Sequence, residues 1–204
     1  MDLTWENIEN AVASCSACPL CARRKNPVPG MGARGAKILF VGEGPGAQED
    51  EQGLPFVGPA GQLLDKMLAA IDLDRQHCYI ANVVKCRPPG NRTPLPEEAQ
   101  ACMPYLRAQT ALLRPKIVVA LGATAAKQIL GEQTRITRDR GIWHERKGCF
   151  LIATFHPSYL LRAPEQKKLA WEDFKLIRDK IAELGLPTAK GETQHDERSK
   201  TSQA

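Results

Sequence analysis

The sequence predicts an α/β fold, a three-layer α/β/α domain built around a central four-stranded parallel sheet. Two observations lead to this prediction. Four short runs rich in Ile, Val, Leu or Phe have the length of buried strands, and helical patterns separate them along the chain. Such alternation is typical of a parallel sheet with helices on both faces. The chain has 204 residues, 43% of them hydrophobic, which is enough for one domain with a sizeable core.

The predicted strands and helices follow one another in order. Each apolar run predicts one strand, at residues 37–41, 79–84, 116–121 and 150–155. After the first strand, apolar side chains within residues 64–71 recur at helical spacing, and residues 123–130 are strong helix formers after the third strand. Pro96 suits the first turn of another helix, which Pro104 should break or kink just past Cys102.

The C-terminal part divides into a helix and a polar segment. An apolar stripe predicts the helix and consists of Ala170, Phe174, Ile177 and Ile181. After Pro187 the chain is rich in small polar and charged residues, which cannot bury enough apolar surface to fold alone. We therefore expect a folded domain over residues 1–186 and a disordered polar tail over residues 187–204.

Composition sets broad limits on function. Lys and Arg total 28 against 23 Asp and Glu, and the net charge of +5 permits a polyanionic partner. No segment is long and apolar enough to span a membrane, so no membrane partner is expected. Residues 1–10 are charged and lack the apolar core of a secretory signal, which indicates a cytoplasmic protein. We expect a monomer.

Four cysteines form two pairs. Two residues separate Cys15 from Cys18, and fifteen separate Cys86 from Cys102. A disulfide framework is the competing interpretation, but disulfides are rare in the cytosol. Four thiolates suit either zinc or an iron-sulfur cluster, and spacing alone does not separate the two. Cys21 is a candidate alternate ligand.

Glycine-rich and polar loops follow the predicted strands. Residues 42–50 and 54–61 follow the first strand, residues 82–92 the second and residues 156–162 the fourth. Because the carboxyl ends of parallel strands meet at one edge of a sheet, these loops should converge on one ligand site. The first loop lacks a Walker lysine and its acidic side chains would repel phosphates, so a neutral ligand fits better.

These motifs resemble those of the family 4 uracil-DNA glycosylases, the iron-sulfur branch of the uracil-DNA glycosylase superfamily, over residues 15–181. The resemblance rests on the four cysteines in register and on further matching segments, which are residues 42–50, 56–61, 82–92 and 156–158. It implies the three-layer fold and a 4Fe-4S cluster held by the four cysteines. It also implies that the partner is uracil-containing DNA, single- or double-stranded, and that the protein hydrolyses the bond joining uracil to deoxyribose.

Seven residues are expected to contact the uracil base. They are Gly42, Glu43, Gly44, Glu49, Phe56, Asn82 and His156. Phe56 is placed to stack on a base flipped out of the helix. The amide of Asn82 offers an acceptor and a donor that match N3 and O4 of uracil, and cytosine inverts that pattern.

Two residues are expected to carry the chemistry. His156 should donate a hydrogen bond to uracil O2, where negative charge grows as the glycosidic bond breaks. Glu43 or backbone groups should position the water nucleophile. By comparison with the other branch of the superfamily, we expect Glu49 to be the residue that excludes thymine from the site.

Six residues are expected to contact DNA. They are Lys85, Arg87, Arg92, Leu160, Leu161 and Arg162. The three basic residues around the Pro-Gly-rich loop and Arg162 suit phosphates, while Leu160 or Leu161 should wedge into the vacated base stack. Because glycosidic hydrolysis moves no electrons, the cluster should serve to fix the loop of residues 85–92.

Two other functions remain open from the sequence. A uracil-DNA binding protein could sense or covalently trap the lesion without turnover. Trapping relatives carry an inserted basic loop with a histidine, whereas residues 86–94 are short and lack histidine, which favours turnover. A Rossmann-like enzyme for small nucleotides is disfavoured by the acidic first loop and by the incomplete dinucleotide fingerprint.

Overall fold

The computed structural model describes residues 3–190 of the chain. The α-helices in this part are α1 (Trp5–Ala13), α2 (Ala47–Gln52), α3 (Pro59–Ala69), α4 (Pro96–Leu113), α5 (Gly122–Leu130), α6 (Ile136–Asp139), α7 (Pro157–Arg162) and α8 (Lys167–Glu183). The strands are β1 (Met31–Gly32), β2 (Ile38–Gly42), β3 (Tyr79–Asn82), β4 (Ile117–Leu121), β5 (His144–Arg146) and β6 (Cys149–Thr154). Short 3-10 turns lie at Pro19–Ala22, Pro89–Asn91 and Pro164–Gln166. No helix within the described range is long and apolar enough to cross a lipid bilayer.

Over residues 3–190 the sheet has six strands, in the order β1-β3-β2-β4-β6-β5. Its four central strands are the predicted ones and run parallel, whereas the edge strands β1 and β5 are antiparallel to their neighbours. The edges were missed because β1 has two residues and β5 three, too few to appear as apolar runs. The α/β prediction is confirmed, with six strands in place of four.

Helices cover both faces of the sheet. Successive side chains of a strand point to opposite faces. On one face Leu39 of β2 belongs to a core that includes residues of α4 and α5. On the other face Phe40 packs with α3 and α8, and its ring lies 6.3 Å from that of Phe174. Each such buried side chain contributes about 1.5–3 kcal/mol. The predicted three layers are confirmed.

The pairing register aligns the ends of the central strands. Gly42, the last residue of β2, pairs with Asn82, the last residue of β3. Leu121 of β4 likewise pairs with Thr154 of β6. The loops that follow these four strands therefore leave the sheet from one edge, as the sequence predicts.

Helix α4 differs from the prediction at Pro104. The helix continues through this residue, so the expected break just past Cys102 was wrong, and the kink expected as the alternative stays a prediction. Proline removes the hydrogen bond to the carbonyl four residues earlier, which belongs to Gln100. Both Pro104 and Gln100 are exposed, so water can reach that carbonyl. Cys102 consequently lies on the buried side of a continuous helix.

The predicted disordered tail falls mostly on residues 191–204, outside the described range. Two of its first residues contact the body of the domain. The amide of Ala189 donates to the Asp72 carbonyl at 2.9 Å, and Lys190 Nζ lies 2.7 Å from the Asp72 carboxylate. Disorder beyond Lys190 stays a prediction.

Candidate active site and cysteine cavity

A cleft opens at the edge of the sheet where the four central strands end. Its volume is about 690 Å³, which is within the range of small-molecule sites. The loops after these strands line it, together with the first residues of α3 and of α7. The lining includes most residues that we expected to contact the base, namely Glu43, Gly44, Glu49, Phe56, Asn82 and His156. The predicted convergence of the loops is confirmed.

Gly42 lets two other site residues approach each other. A Cβ atom at this position would lie 2.4 Å from Asn82 Oδ1 and 2.6 Å from Phe56 Cζ. Any side chain would therefore displace one of these groups. Gly42 has a spacing role, and a contact between its amide and the base stays a prediction.

Asn82 presents an unsatisfied polar atom. Its side chain is buried, and among residues 3–190 its Oδ1 is a buried oxygen that has no hydrogen-bond partner. An acceptor left in this state costs about 1–3 kcal/mol. Native structures satisfy nearly all such atoms, so this one indicates a position where a ligand supplies the missing donor.

Phe56 is held in an unusual backbone conformation beside His156. Its φ angle is 54°, which is rare for a bulky residue, and its ring centroid lies 5.6 Å from that of His156. The guanidinium of Arg75 donates to the carbonyls of both Pro55 and Phe56. Arg75 is itself fixed by Asp65, at 2.8 Å. These contacts stabilise the strained backbone and keep the ring in the wall of the cleft.

His156 has a defined tautomer. Its Nδ1 accepts a hydrogen bond from the Ser158 amide at 3.1 Å and lies 2.8 Å from the Ser158 hydroxyl. A backbone amide can only donate, so the neutral ring carries its proton on Nε2. Burial, and after it the positive charge of Arg162, lower the pKa of His156 to about 4. The ring is therefore neutral at neutral pH and can donate from Nε2.

The first turn of α5, directly after β4, supports both catalytic candidates. Thr124 Oγ1 donates a hydrogen bond to Glu43 Oε2 and thereby orients that carboxylate at the cleft. Gly122 has a φ of 87°, and a Cβ there would lie 2.8 Å from His156 Cβ. Glycine is therefore required at this position by both conformation and space.

Glu49 joins two loops of the cleft. Its carboxylate accepts hydrogen bonds from the amides of Gly46, Val57 and Gly58, at 3.1, 2.9 and 2.8 Å. Both carboxylate oxygens are thus engaged by backbone donors. The structure gives Glu49 a positioning role, and exclusion of thymine by Glu49 stays a prediction.

Lys85 does not lie on the surface. The residue is 1% exposed, and its Nζ donates to the Asn82 carbonyl at 2.9 Å and to Gln109 Oε1 at 2.8 Å. The prediction that Lys85 contacts DNA phosphates was therefore wrong. Its basic sequence neighbours suggested a surface cluster, but helix α4 covers its side chain.

Arg87 and Arg92 remain accessible, in different surroundings. Arg92 lines the cleft and contacts the Glu98 carboxylate through two nitrogens, at 2.8 and 2.7 Å. This contact lowers the pKa of Glu98 and offsets part of the positive charge of Arg92. Arg87 donates to the neutral Asn91 side chain at 2.7 Å. Arg87 is therefore the better placed of the two to offer a full charge to a phosphate.

Leu160 and Leu161 have opposite environments. Leu160 is 1% exposed and belongs to a small core with Phe155 and Ala170, so its predicted wedge role was wrong. Leu161 is 43% exposed and lines the cleft next to Arg162. Leu161 remains the candidate wedge, and phosphate contact by Arg162 stays a prediction.

A second, small cavity lies between α1 and α4, and we call it the cysteine cavity. Its lining includes Cys15, Cys18, Cys21, Cys86 and Cys102. The structure thus brings together the four predicted ligands and the alternate one. Within the described part of the chain, no three Cys, His, Asp or Glu side chains are grouped to hold a single metal ion. Thiolate donors suit both a zinc ion and an iron-sulfur cluster.

Hydrogen-bond donors surround these sulfurs. Arg24 Nη1 donates to Cys86 Sγ and the Lys85 amide donates to Cys102 Sγ, both at 3.2 Å. Burial raises the pKa of the Cys102 thiol to about 11. A bound cation reverses such a shift, because it holds the thiolate form. Donors to sulfur also stabilise the thiolate ligands of a cluster, so the residues present fit an iron-sulfur group.

Comparisons with known proteins agree with this geometry. A model of the Uracil DNA glycosylase superfamily matches residues 29–175. A type-4 uracil-DNA glycosylase of Thermotoga maritima is 46% identical over 186 residues, covering 88% of this chain and 96% of the relative. The chain belongs to family 4 of the uracil-DNA glycosylase superfamily. A type-4 uracil-DNA glycosylase of Sulfurisphaera tokodaii is 45% identical, covering 85% of this family 4 chain and 83% of the relative. One of Archaeoglobus fulgidus is 44% identical, covering 84% of this chain and 90% of the relative.

Two contributors to the site of this family 4 glycosylase were missed in the sequence. Arg75 holds Phe56 from 19 residues away, and Thr124 holds Glu43 from 81 residues away. Neither belongs to a recognisable motif. Thr124 lies among the helix formers after β4, and only its position after a strand end could have drawn attention to it.

Proposed function

We propose that this protein is a DNA repair glycosylase that flips uracil out of DNA, hydrolyses its N-glycosidic bond, releases free uracil and leaves an abasic site. The observation that carries this proposal is the unpartnered buried oxygen of Asn82 beside the Phe56 and His156 rings. Membership of family 4 supports the same activity.

Capture of the base requires compensation for unstacking. Flipping a nucleotide costs a few kcal/mol. The cleft has room for a pyrimidine, and stacking on Phe56 contributes about 1–3 kcal/mol. Leu161 at the cleft edge fills the vacated stack, and Arg87, Arg92 and Arg162 bind phosphates.

Asn82 reads the identity of the base. Its Oδ1 accepts the N3–H of uracil, and its amide nitrogen donates to O4. Cytosine presents an acceptor at N3 and a donor at its amino group, so both hydrogen bonds become mismatched. The buried oxygen then loses the donor that uracil supplies, which is the physical origin of discrimination.

His156 stabilises the leaving group. As the bond between C1′ and N1 breaks, the electron pair moves onto the base and negative charge grows on O2. A preorganised donor at that oxygen lowers the barrier by about 3–4 kcal/mol. The lowered pKa keeps His156 neutral, and because Nδ1 accepts from the Ser158 amide, the one ring proton lies on Nε2 and is donated to O2.

Glu43 positions the attacking water. Thr124 engages Oε2 of the carboxylate, which leaves Oε1 to accept a hydrogen bond from water. The water oxygen forms the new bond to C1′ as the bond to N1 breaks. Its proton passes to Glu43 or to solvent, and the uracil anion leaves.

The cysteine cavity is proposed to hold a 4Fe-4S cluster through Cys15, Cys18, Cys86 and Cys102. Such a group would supply structural crosslinking, because hydrolysis moves no electrons. The purified protein should be brown with broad visible absorption. Stoichiometric zinc without iron after anaerobic purification would refute the cluster.

Uracil release from an oligonucleotide carrying one uracil tests the activity directly. Matched oligonucleotides with thymine or cytosine at that position serve as controls. A heat-stable protein–DNA adduct without released uracil would instead support a protein that traps the lesion. A monomeric state and a cytoplasmic location stay predictions.

A further inference from the structure

Lys85 lines the cysteine cavity and contacts a residue of the cleft. Its side chain donates to the Asn82 carbonyl at 2.9 Å, and its backbone amide donates to Cys102 Sγ at 3.2 Å. One buried residue therefore joins the residue that reads the base to a residue that lines the cysteine cavity. None of the steps proposed above uses these contacts.

Gln109 is the second acceptor for the Lys85 ammonium. Its Oε1 accepts from Lys85 Nζ at 2.8 Å, and its Nε2 donates to the Pro29 carbonyl at 2.8 Å. Gln109 is fully buried in helix α4. The two hydrogen bonds set the orientation of the amide, so the Lys85 side chain is held at a fixed point.

The Asn82 carbonyl needs this donor. Strand β3 ends at Asn82, and a buried acceptor that loses its partner is strongly disfavoured. Without Lys85 Nζ, the peptide group would have to rotate to find another donor. Rotation would carry the Asn82 side chain with it, and there is little free space because Oδ1 lies close to Gly42.

We propose that Lys85 is a positioning residue for base recognition, which holds the Asn82 backbone from the wall of the cysteine cavity. This inference rests on the proposed function. It replaces the phosphate contact that the sequence suggested for Lys85. It also connects the cysteine cavity to the cleft, because the Lys85 amide donates to Cys102 Sγ.

The test compares Lys85→Met with Lys66→Met, an exposed lysine of α3. Binding is measured on DNA with one 2′-fluoro-deoxyuridine, which resists hydrolysis, and on the same DNA with thymidine. Lys85→Met should lose about tenfold of the preference for the uracil-containing DNA, equal to about 1.4 kcal/mol. Affinity for the thymidine DNA, its salt dependence and the iron content should match those of the parental protein. Lys66→Met should leave all four quantities unchanged.

Two results would overturn the inference. Equal weakening on both DNAs with a smaller salt slope would make Lys85 a phosphate contact, and an unchanged preference would remove its positioning role. If Lys85→Met fails to fold or loses iron, the same measurements on Gln109→Leu test the inference. This variant removes the acceptor that orients the Lys85 ammonium and leaves every cysteine in place. It should cost about threefold in preference, and no loss would contradict the inference. A parental protein without preference for uracil would instead refute the proposed function, whatever the variants do.

Discussion

The cleft and the cysteine cavity differ in whether their polar atoms already have hydrogen-bond partners in the protein. In the cleft, Asn82 Oδ1 has no partner within the described part of the chain and His156 keeps Nε2–H available. In the cysteine cavity, the sulfurs of Cys86 and Cys102 each already receive a hydrogen bond from the protein. A site for a transient ligand leaves donors and acceptors for that ligand, whereas a site for a permanent group supports it from outside. Substitutions in the cleft should therefore affect turnover, and those in the cysteine cavity should affect stability.

The largest effect is expected for His156→Ala. The single-turnover rate at saturating protein should fall by about two to three powers of ten, because the donor to O2 is lost. Affinity for uracil-containing DNA should change little. His144→Ala, in edge strand β5, is the control. A parental rate in His156→Ala would assign most of the acceleration to Glu43 and the backbone amides.

Cys102→Ser should affect stability first. The variant should lose visible absorption and iron, and a loss of about 3 kcal/mol would lower Tm by about 6–12 °C in a chain of this size. Cys149→Ser is the matched control, since this thiol lies outside the cysteine cavity. If Cys102→Ser keeps its iron and its Tm, the cavity does not act as a structural site and the contrast with the cleft disappears.

Asn82→Asp should change selectivity within the cleft. A carboxylate cannot donate to O4, so discrimination for uracil over cytosine should fall by about 1–3 kcal/mol, or about 5- to 150-fold. The ratio of single-turnover rates on the two bases measures it. Iron content should stay at the parental value, which separates this effect from damage to the cysteine cavity. Intact discrimination would show that Asn82 does not read the base.

Arg87→Ala should have a smaller effect, on the salt dependence of DNA binding. Loss of one phosphate contact lowers the magnitude of the log-affinity versus log-salt slope by about 0.9 on duplex DNA. Arg92→Ala should change it less, because Glu98 already offsets the charge of Arg92. A larger change for Arg92 than for Arg87 would mean that Glu98 releases Arg92 when DNA binds.

The pH profile should show no effect of His156 near its ordinary pKa. The folded ring has a pKa of about 4, below the ordinary 6.5, so it stays neutral and active between these values. The single-turnover rate should not fall with a midpoint near 6.5. Stability should behave differently, because below pH 6.5 His156 takes up a proton in the unfolded chain, whereas the folded ring stays neutral down to about pH 4. This contribution to stability is therefore lost as the pH falls from 6.5 towards 4.

The sequence predicted those features that depend on local patterns. Buried parallel strands appear as apolar runs, and the loops after them met at one edge because parallel topology requires it. The edge strands β1 and β5 are too short to leave such a pattern. Pro104 was misjudged because its effect depends on which side of α4 faces water.

In the cleft, local sequence patterns predicted the residues that lie in motifs and not the residues that support them. Phe56, Asn82 and His156 lie in motifs and were found, but the partners that hold them were not. Lys85 lies two residues from Arg87 in the sequence, but its buried ammonium contacts Gln109, which is 24 residues away. Leu160 and Leu161 are adjacent, and only the packing of α7 decides which one is exposed. Tertiary contacts of this kind leave no periodic signal.

The backbone of Phe56 carries a cost that its side chain offsets. A left-handed conformation of a bulky residue costs about 1–3 kcal/mol, which glycine would avoid. The ring is buried and belongs to the core that includes residues of α3, so deleting it would cost about 3–5 kcal/mol of packing. Phe56→Gly would therefore lose stability as well as the ring on which the base is proposed to stack. Selection for thermal tolerance and selection for activity thus act in the same direction at this position.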